Sequence, residues 1–252
     1  MDVLAAQGAP GLFAGPADRP LLTFYDDATG ERTELSAARL GRWAERTARL
    51  LDEGCELATG DRAAVLLPPH WQTAVVLLGA WSAGLAVSYR SARTAGLPEV
   101  GAGAAEPYDA VFVARHRLAD WLDHVPAARH RFRLDLAPDV PGRPAPDGYR
   151  DFLAELDRYP GPGGGGPLVR DEAAASVDGT TFREWGSLAA AIAEQQDLRR
   201  GDRVLMDAAE RDHPVFWLLA PLFAGASVVL CANLQPAELP GRIAAEGVTR
   251  IV

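Results

Sequence analysis

The pattern in residues 201–230, GDRVLMDAAERDHPVFWLLAPLFAGASVVL, decides the fold, because an earlier part of the chain repeats it. Gly60-Asp61-Arg62 opens the earlier copy and Ala83-Gly84 closes it, as Gly201-Asp202-Arg203 and Ala224-Gly225 do in the later copy. In both copies 22 positions separate the arginine from the second glycine. An apolar run follows each arginine, and a helical apolar segment leads to each closing pair. The pattern predicts one helix–strand–helix–strand unit in each copy.

Strands and helices alternate through the rest of the chain with short links between them. Ala63–Leu67 is an unbroken apolar run that ends at two prolines, which is typical of a strand covered on both faces. Trp71–Trp81 then predicts a helix, and Ala86–Tyr89 predicts the next strand. Such alternation implies right-handed crossovers and therefore parallel sheets. We expect an α/β fold with two similar subdomains of mostly parallel sheets flanked by helices.

Glycine and proline divide the chain into four predicted parts. Residues 1–20 are rich in Gly, Pro and Ala and predict a flexible lead. Residues 160–167, PGPGGGGP, predict a linker, because consecutive glycines lose much backbone entropy in a regular element. Residues 21–159 are therefore the first predicted α/β subdomain, and residues 168–252 are the second.

Three further segments carry local predictions. Leu21–Tyr25 and Arg32–Leu35 flank a turn signal and predict a hairpin within the first subdomain. Tyr149–Leu156 predicts an amphipathic helix. Pro214–Phe223 predicts a helix with proline in its first turn, where the missing N–H costs little.

Charge and composition argue against several functions. The formal net charge of −9 disfavours non-specific binding to nucleic acid or to an anionic membrane. No apolar run approaches the length that spans a bilayer, and the N-terminal segment lacks the basic flank of a signal peptide. Cys55 and Cys231 stand apart from each other and from any Cys/His spacing, so they predict reduced thiols rather than a disulfide or a zinc site. These features predict a cytoplasmic protein.

Lysine is absent, since all 25 basic residues are arginine. The absence excludes a phosphate-loop lysine, a Schiff-base lysine and a lysine general base. Arginine does not replace lysine at a point-charge site, because its charge is spread over a planar fork.

Three runs of the sequence resemble one family. They are GDRAAVLLP at 60–68, WSAG at 81–84 and APLFAGASVVL at 220–230. These runs resemble the N-terminal region of the adenylate-forming superfamily, which includes acyl-CoA synthetases, peptide-synthetase adenylation domains and luciferases. The resemblance covers most of residues 21–252 and is most specific from Pro221 to Val229. It implies two sheets flanked by helices.

The resemblance also places a phosphate loop in this chain. The family carries a Ser/Thr/Gly-rich loop ending in Pro-Lys-Gly that cradles the ATP phosphates, and Val177–Gly186 stands at the corresponding place. The candidate cofactor-binding residues carried over from this loop are Asp178, Gly179, Thr180, Thr181 and Arg183.

Four positions of this segment depart from the family's loop. Asp178 replaces a serine, Phe182 a glycine, Glu184 the proline and Trp185 the lysine. Two carboxylates repel a triphosphate, and Phe182 limits the approach of the backbone. The departures favour a degenerate loop, and the alternative is a simple hairpin turn at Asp178-Gly179.

The remaining ATP-handling parts of the family are not matched. Its adenine motif, its ribose-binding aspartate and its C-terminal domain with the catalytic lysine lie beyond a point equivalent to Val252. Adenylation needs charge stabilisation on the attacked phosphate. The resemblance therefore implies a shortened, non-adenylating relative with no catalytic residue, no expected cofactor and no metal site.

A second group of candidates is a ligand pocket formed by His213, Phe216 and Trp217. His213 lies near the place where the family often has a histidine before this helix. The alternative is that His213 with a capping Asp212 is a helix-entry residue, and that the aromatic residues belong to the core.

The third candidate feature is a locally basic segment. It contains His116, His124 and His130 together with Arg115, Arg117, Arg129, Arg131 and Arg133. On an acidic protein it could dock a phosphate or an acidic partner, and the alternative is a solvated face that balances neighbouring carboxylates. The histidine spacings match no common metal pattern.

These features predict a non-catalytic, truncated AMP-binding-like protein that binds a protein partner or a small acyl or nucleotide-like ligand. One alternative is a fragment of a split adenylate-forming ligase that another chain completes. The other is an unrecognised small-molecule activity in the crevice between the subdomains, at the carboxyl ends of the strands.

Overall fold

The computed structural model describes residues 19–91, 106–116, 118, 125–136, 147–159 and 169–252. Most of the predicted lead, all of the predicted linker and His124 lie outside the described residues. The described strands are β1 (Leu22–Asp26), β2 (Glu31–Leu35), β3 (Arg62–Leu66), β4 (Ala86–Tyr89), β5 (Tyr108–Ala114), β6 (Ala128–Leu134), β7 (Arg150–Asp151), β8 (Arg203–Asp207), β9 (Ser227–Ala232) and β10 (Arg250–Ile251). The described α-helices are α1 (Ala37–Arg49), α2 (Trp71–Ser82), α3 (Phe152–Leu156), α4 (Phe182–Gln195), α5 (Ala220–Ala224) and α6 (Leu239–Glu246). Leu50–Gly54 and Val215–Leu219 are π-helical turns.

The described strands form two five-stranded sheets. The first sheet has the order β4-β3-β5-β6-β7, and its strand pairs are parallel. The second sheet has the order β10-β8-β9-β1-β2, and its pairs are parallel except for the antiparallel pair of β1 and β2. The predicted α/β fold of mostly parallel sheets flanked by helices is confirmed.

The N-terminal hairpin lies in the second sheet, which differs from its predicted place in the first subdomain. Leu22 of β1 pairs in parallel with Val228 of β9, and the register continues to Asp26 and Ala232. The apolar face of β1 is buried, since Leu22 and Phe24 are each 2% exposed. A parallel partner two hundred residues away leaves no local signal, so sequence order assigned the hairpin to the wrong sheet.

The two Gly-Asp-Arg turns have the same backbone hydrogen bonds. Gly60 N–H donates to Gly84 O at 2.9 Å, and Gly201 N–H donates to Gly225 O at 3.0 Å. The following strands then pair with equal offset, because Arg62 lies opposite Ala86 and Arg203 lies opposite Ser227. Each turn therefore starts a strand that lies second from the edge of its sheet, and fixes the register of that strand.

Two helix predictions differ from the structure at their ends. The helix predicted at Tyr149–Leu156 begins only at Phe152, because Arg150–Asp151 pairs with β6 as a short edge strand. The helix predicted at Pro214–Phe223 is a π-helical turn followed by α5. Pro221 has no N–H to donate, and Ala220 N–H reaches back to Val215 O, so the wider turn accommodates the proline.

One continuous core joins the two sheets. Its fully buried side chains include Phe112 and Phe132 from the first sheet, and Phe24 and Trp217 from the second sheet and its neighbouring helix. Phe112 and Phe132 stack with ring centroids 5.0 Å apart. This shared core holds the two sheets in a fixed relation at the carboxyl ends of their strands.

Candidate functional site

The carboxyl ends of a strand from each sheet meet at one aromatic cluster. Tyr89 ends β4 in the first sheet, and His213 follows β8 in the second sheet. Their ring centroids lie 6.0 Å apart in an edge-on contact. In open α/β sheets, ligands bind at the carboxyl ends of the strands. This position makes the cluster the candidate functional site.

The ring cluster consists of Tyr89, Trp185, His213 and Phe216. Trp185 stacks on His213 with centroids 5.4 Å apart and planes at 12°. Phe216 meets His213 edge-on at 6.5 Å. All four residues are half-buried. Aromatic faces of this kind bind flat or apolar groups.

His213 holds its place through the backbone of the next turn. Its Nδ1 accepts a hydrogen bond from Val215 N–H at 3.3 Å, which satisfies an orphan donor at the start of the π-helical turn. Burial lowers the pKa of His213, and Asp212 offsets part of this effect. The imidazole is therefore neutral at pH 7.

Two buried polar atoms border the ring cluster without a hydrogen-bond partner among the described residues. They are the hydroxyl oxygen of Tyr89 and Nε of Arg211. The Arg211 guanidinium lies 5.7 Å from the centroid of Phe216. Burial raises the pKa of Tyr89, and the charge of Asp212 raises it further, so the phenol remains a donor. Buried donors of this kind are costly unless a partner satisfies them.

The predicted phosphate loop is a closed hairpin in the structure. Thr180 O accepts from the N–H groups of Ala175 and Ser176, at 2.8 and 3.1 Å. Gly179 N–H donates to Ser176 O at 3.0 Å, and Thr180 N–H donates to the Asp178 carboxylate at 3.0 Å. These amide hydrogens, which would have to face a phosphate, are already bonded within the hairpin.

The N-terminus of α4 is capped by its own carboxylate. Thr181 Oγ1 accepts from Glu184 N–H at 3.2 Å, and Glu184 accepts from Thr181 N–H at 2.8 Å, which is a capping box. Hydrogen bonds from the Thr181 backbone and side chain lower the pKa of Glu184. The helix end that would attract an anion therefore already holds one.

The other residues of this segment also have partners inside the protein. Arg183 pairs with the Glu172 carboxylate and lies 3.9 Å from the carboxylate of Asp171. Phe182 is buried at 2% exposure. Trp185 donates from Nε1 to Ser176 Oγ at 2.6 Å, which ties the hairpin to the ring cluster.

The structure brings together only part of the predicted ligand pocket. His213 and Phe216 belong to the ring cluster, whereas Trp217 is fully buried in the core. The sequence did not identify Tyr89 or Arg211 as site residues. It placed Tyr89 in a strand and gave Arg211 no role. The position of Tyr89 at the end of a parallel strand was the available signal.

A groove of about 570 Å³ lies at the opposite, amino-terminal end of the second sheet. Arg203 and Glu246 line it and pair with each other at 2.5 Å. Arg32 also bonds Glu246 at 2.9 Å. Burial raises the pKa of Glu246, but hydrogen bonds from Tyr25, Arg203 and Arg32 outweigh it and lower the pKa to about 2. Arg203, Arg32 and Glu246 of this groove pair with one another, so these side chains are less available to a ligand than the unpartnered donors at the ring cluster.

The described residues show no sign of a membrane-spanning helix or of a metal site. No described helix has both the length and the apolar character to cross a membrane. No three His, Cys, Asp or Glu side chains in the described ranges converge as metal ligands.

Comparisons with known proteins bear on the fold and the family. No family model matches the sequence. Acetoacetyl-CoA synthetase from Streptomyces lividans is similar in structure with a TM-score of 0.71 and 18% identity, over 97% of this chain and 42% of that chain. The anthranilate CoA ligase AuaEII in complex with anthranoyl-AMP gives a TM-score of 0.66 and 14% identity, over 98% of this chain and 49% of that chain.

These solved structures confirm the resemblance at the level of the fold, which is that of the N-terminal part of adenylate-forming enzymes. The chain spans 42% and 49% of the lengths of the two. A TIGR03089 family protein of Mycobacterium tuberculosis is 36% identical over 253 residues, which cover 96% of this chain and 95% of the relative. This chain belongs to the TIGR03089 family.

Proposed function

We propose that this chain is a non-adenylating binding protein, which holds a small carboxylate with an aromatic or acyl body against the ring cluster. One observation carries the proposal. Trp185, which stands where the resemblance expects the phosphate-loop lysine, stacks on His213 and bonds Ser176. The same side chain thus closes the hairpin and builds an aromatic face.

The closed hairpin supports the non-adenylating part of the proposal. A triphosphate needs backbone N–H groups and a cation at this segment. Here the amides of Gly179 and Thr180 are bonded internally, and the Glu184 carboxylate occupies the helix N-terminus. Opening the hairpin for ATP would break these bonds and place Asp178 and Glu184 beside the phosphates.

The chemistry of the ligand follows from the two groups that border the rings. The Tyr89 hydroxyl and Arg211 Nε are donors without described partners, so an acceptor such as a carboxylate would satisfy them. The faces of Trp185, His213 and Phe216 would contact the apolar body of the ligand. That the ligase AuaEII was solved with anthranoyl-AMP motivates the choice of an aromatic carboxylate as a probe.

Binding is tested by calorimetric titration of the full chain with benzoate and with hexanoate. We expect binding of at least one probe and loss of that binding in Phe216→Ala and Arg211→Gln. Leu188→Ala is the matched control, because Leu188 is an exposed apolar residue on α4 outside the cluster. Absence of binding by both carboxylates, or equal affinity in Phe216→Ala and Leu188→Ala, would overturn the proposed site.

Chemistry is tested by carboxylate-dependent exchange of pyrophosphate into ATP. We expect no exchange above the level without carboxylate. Exchange that requires both carboxylate and magnesium would overturn the non-adenylating proposal. Exchange that appears only when a co-purifying chain is added would support the split-ligase alternative instead.

A further inference from the structure

A cluster at the amino-terminal end of β6 has more hydrogen-bond donors than the described residues can satisfy. His130 of β6 lies between two guanidinium groups, because Arg129 Nε is 3.1 Å from its Nε2 and Arg150 Nη2 is 3.1 Å from its Nδ1. Both arginines also reach Cys55, Arg129 at the carbonyl oxygen and Arg150 at Sγ. The cluster lies in the first sheet and shares no residue with the ring cluster.

The protonation chemistry of histidine makes this arrangement incomplete. A neutral imidazole has one N–H donor and one acceptor nitrogen, and an imidazolium has no acceptor. Only one of Arg129 and Arg150 can therefore donate to the ring, and the other directs an N–H toward an N–H. No tautomer satisfies both arginines.

The local carboxylates do not balance the charge of the two arginines. Asp109 acts on His130, but its carboxylate accepts a hydrogen bond from Arg62 N–H. Glu155 lies 3.5 Å from Arg150, but it also pairs with Arg158 at 3.1 Å. Arg129 makes no ion pair with a carboxylate of the described residues. Arg129 is exposed and the Arg150 side chain is 33% exposed, so an anion from solvent can reach both.

We propose that Arg129, Arg150 and His130 form a binding site for a phosphate group, either free phosphate or a small phosphate monoester. Phosphate supplies several acceptor oxygens on one group, which suits guanidinium donors that come from two strands. Burial and the charges of Arg150 and Arg129 lower the pKa of His130, so the free ring is neutral, and a phosphate oxygen would accept the guanidinium N–H that the ring cannot accept. The site accounts for part of the basic segment that the adenylate-forming resemblance leaves unexplained.

The test follows the His130 imidazole by NMR in the full chain while phosphate is added, with chloride added to the same ionic strength as the reference. Its resonance is assigned with His130→Asn. We expect a saturable shift and a raised pKa of His130 in phosphate, because an anion favours the imidazolium. A shift that is equal in chloride would overturn the proposal.

The matched variants are Arg129→Gln and Arg131→Gln, which remove the same charge from neighbouring positions of one strand. We expect Arg129→Gln to weaken phosphate binding by about tenfold or more, and Arg131→Gln by less than about threefold. Equal weakening would overturn the site. Titration with glycerol 3-phosphate distinguishes the sources, since tighter binding than phosphate assigns the site to a monoester and weaker binding assigns it to the free ion.

This inference does not depend on the proposed carboxylate site. If ATP binds the chain, loss of that binding in Arg129→Gln assigns it to the phosphate site and leaves the closed hairpin intact. Retention of ATP binding in Arg129→Gln would overturn the argument from the closed hairpin and leave the phosphate site untouched.

Discussion

The two Gly-Asp-Arg units have the same turns, but the histidine that precedes the helix has different surroundings in each unit. His70 and His213 each follow the strand that the turn starts, and each accepts an N–H two residues ahead through Nδ1, at 3.1 and 3.3 Å. His70 is sealed at 3% exposure, with its ring 4.3 Å from that of Phe24. His213 is half-buried among residues that are also half-buried. The same capping role thus serves packing in the first unit and belongs to a half-buried aromatic cluster in the second.

The helices of the two units differ at one position, and this difference predicts the largest change in stability. Ala80 lies inside the regular helix α2, whereas Pro221 stands at the equivalent position after a π-helical turn. We expect Ala80→Pro to destabilise the chain by about 3 kcal/mol or more, because proline removes a hydrogen bond and clashes with the preceding turn. Pro221→Ala should change stability by less than about 1 kcal/mol, since the π turn already accepts the proline. Urea unfolding of both variants measures the difference, and equal losses would contradict it.

The glycines that close the two units predict the next largest difference in stability on substitution by alanine. Gly84 and Gly225 have φ values of +80° and +72°, so alanine is strained at both. A Cβ at Gly84 would lie 2.7 Å from Thr59 Oγ1, whereas the nearest atom at Gly225 is Arg200 Cγ at 3.5 Å. We expect Gly84→Ala to cost about 3 kcal/mol and Gly225→Ala about 1 kcal/mol.

Thermal and urea unfolding of the two glycine variants check this order. Thr59→Ser in the Gly84→Ala background is the control, because it removes a methyl group but keeps the close hydroxyl. Recovery with Thr59→Ala and not with Thr59→Ser would assign the cost to the hydroxyl. A larger cost at Gly225 would contradict the geometry.

Truncation of the two histidines should separate packing from exposure. We expect His70→Ala to cost about 2 kcal/mol through loss of the cap and of buried contacts, and His213→Ala about 1 kcal/mol through the cap alone. His70→Asn and His213→Asn keep a capping acceptor and should recover part of each loss. Urea unfolding measures all four, and a larger loss at His213 would show that its cluster is a packed core.

The architecture was predictable from sequence where local pattern decides it. The β3 and β4 segments, the start of α2 and the second-unit strands follow from apolar runs that glycine and proline bound. The sheet of the N-terminal hairpin was not predictable, because parallel pairing of Leu22 with Val228 depends on contacts across the whole chain. The π-helical turn was also missed, since a proline at 221 signals a break without specifying its form.

The candidate site was predictable only in part, for a related reason. His213 and Phe216 lie near each other in sequence, so a pattern at the start of one helix found both. Tyr89 and Trp185 reach the same place from different elements, and only the meeting of the two sheets brings them there. The closed form of the hairpin depends on which amides Thr180 and Asp178 satisfy, which substitutions alone do not reveal.

The smallest predicted effect is a difference in the pH dependence of stability between the buried His70 and the half-buried His213. Burial lowers the pKa of His70 below its ordinary value of 6.5, although Glu31, with a carboxylate oxygen 3.5 Å from Nε2, opposes this. The unfolded chain therefore binds the proton first as pH falls below 6.5, and the free energy of unfolding decreases.

The pKa of His213 is lowered for the same reason, so both histidines contribute a loss of stability toward acid and none above pH 6.5. We expect His70→Asn to flatten the profile between about pH 6.5 and 5 more than His213→Asn does, because desolvation of the charged ring is greater at the sealed position. Urea unfolding at half-unit pH steps measures this. If His213→Asn instead flattens the profile more than His70→Asn does, the ring cluster excludes water better than the site at His70. The contrast between the two units would then be reversed.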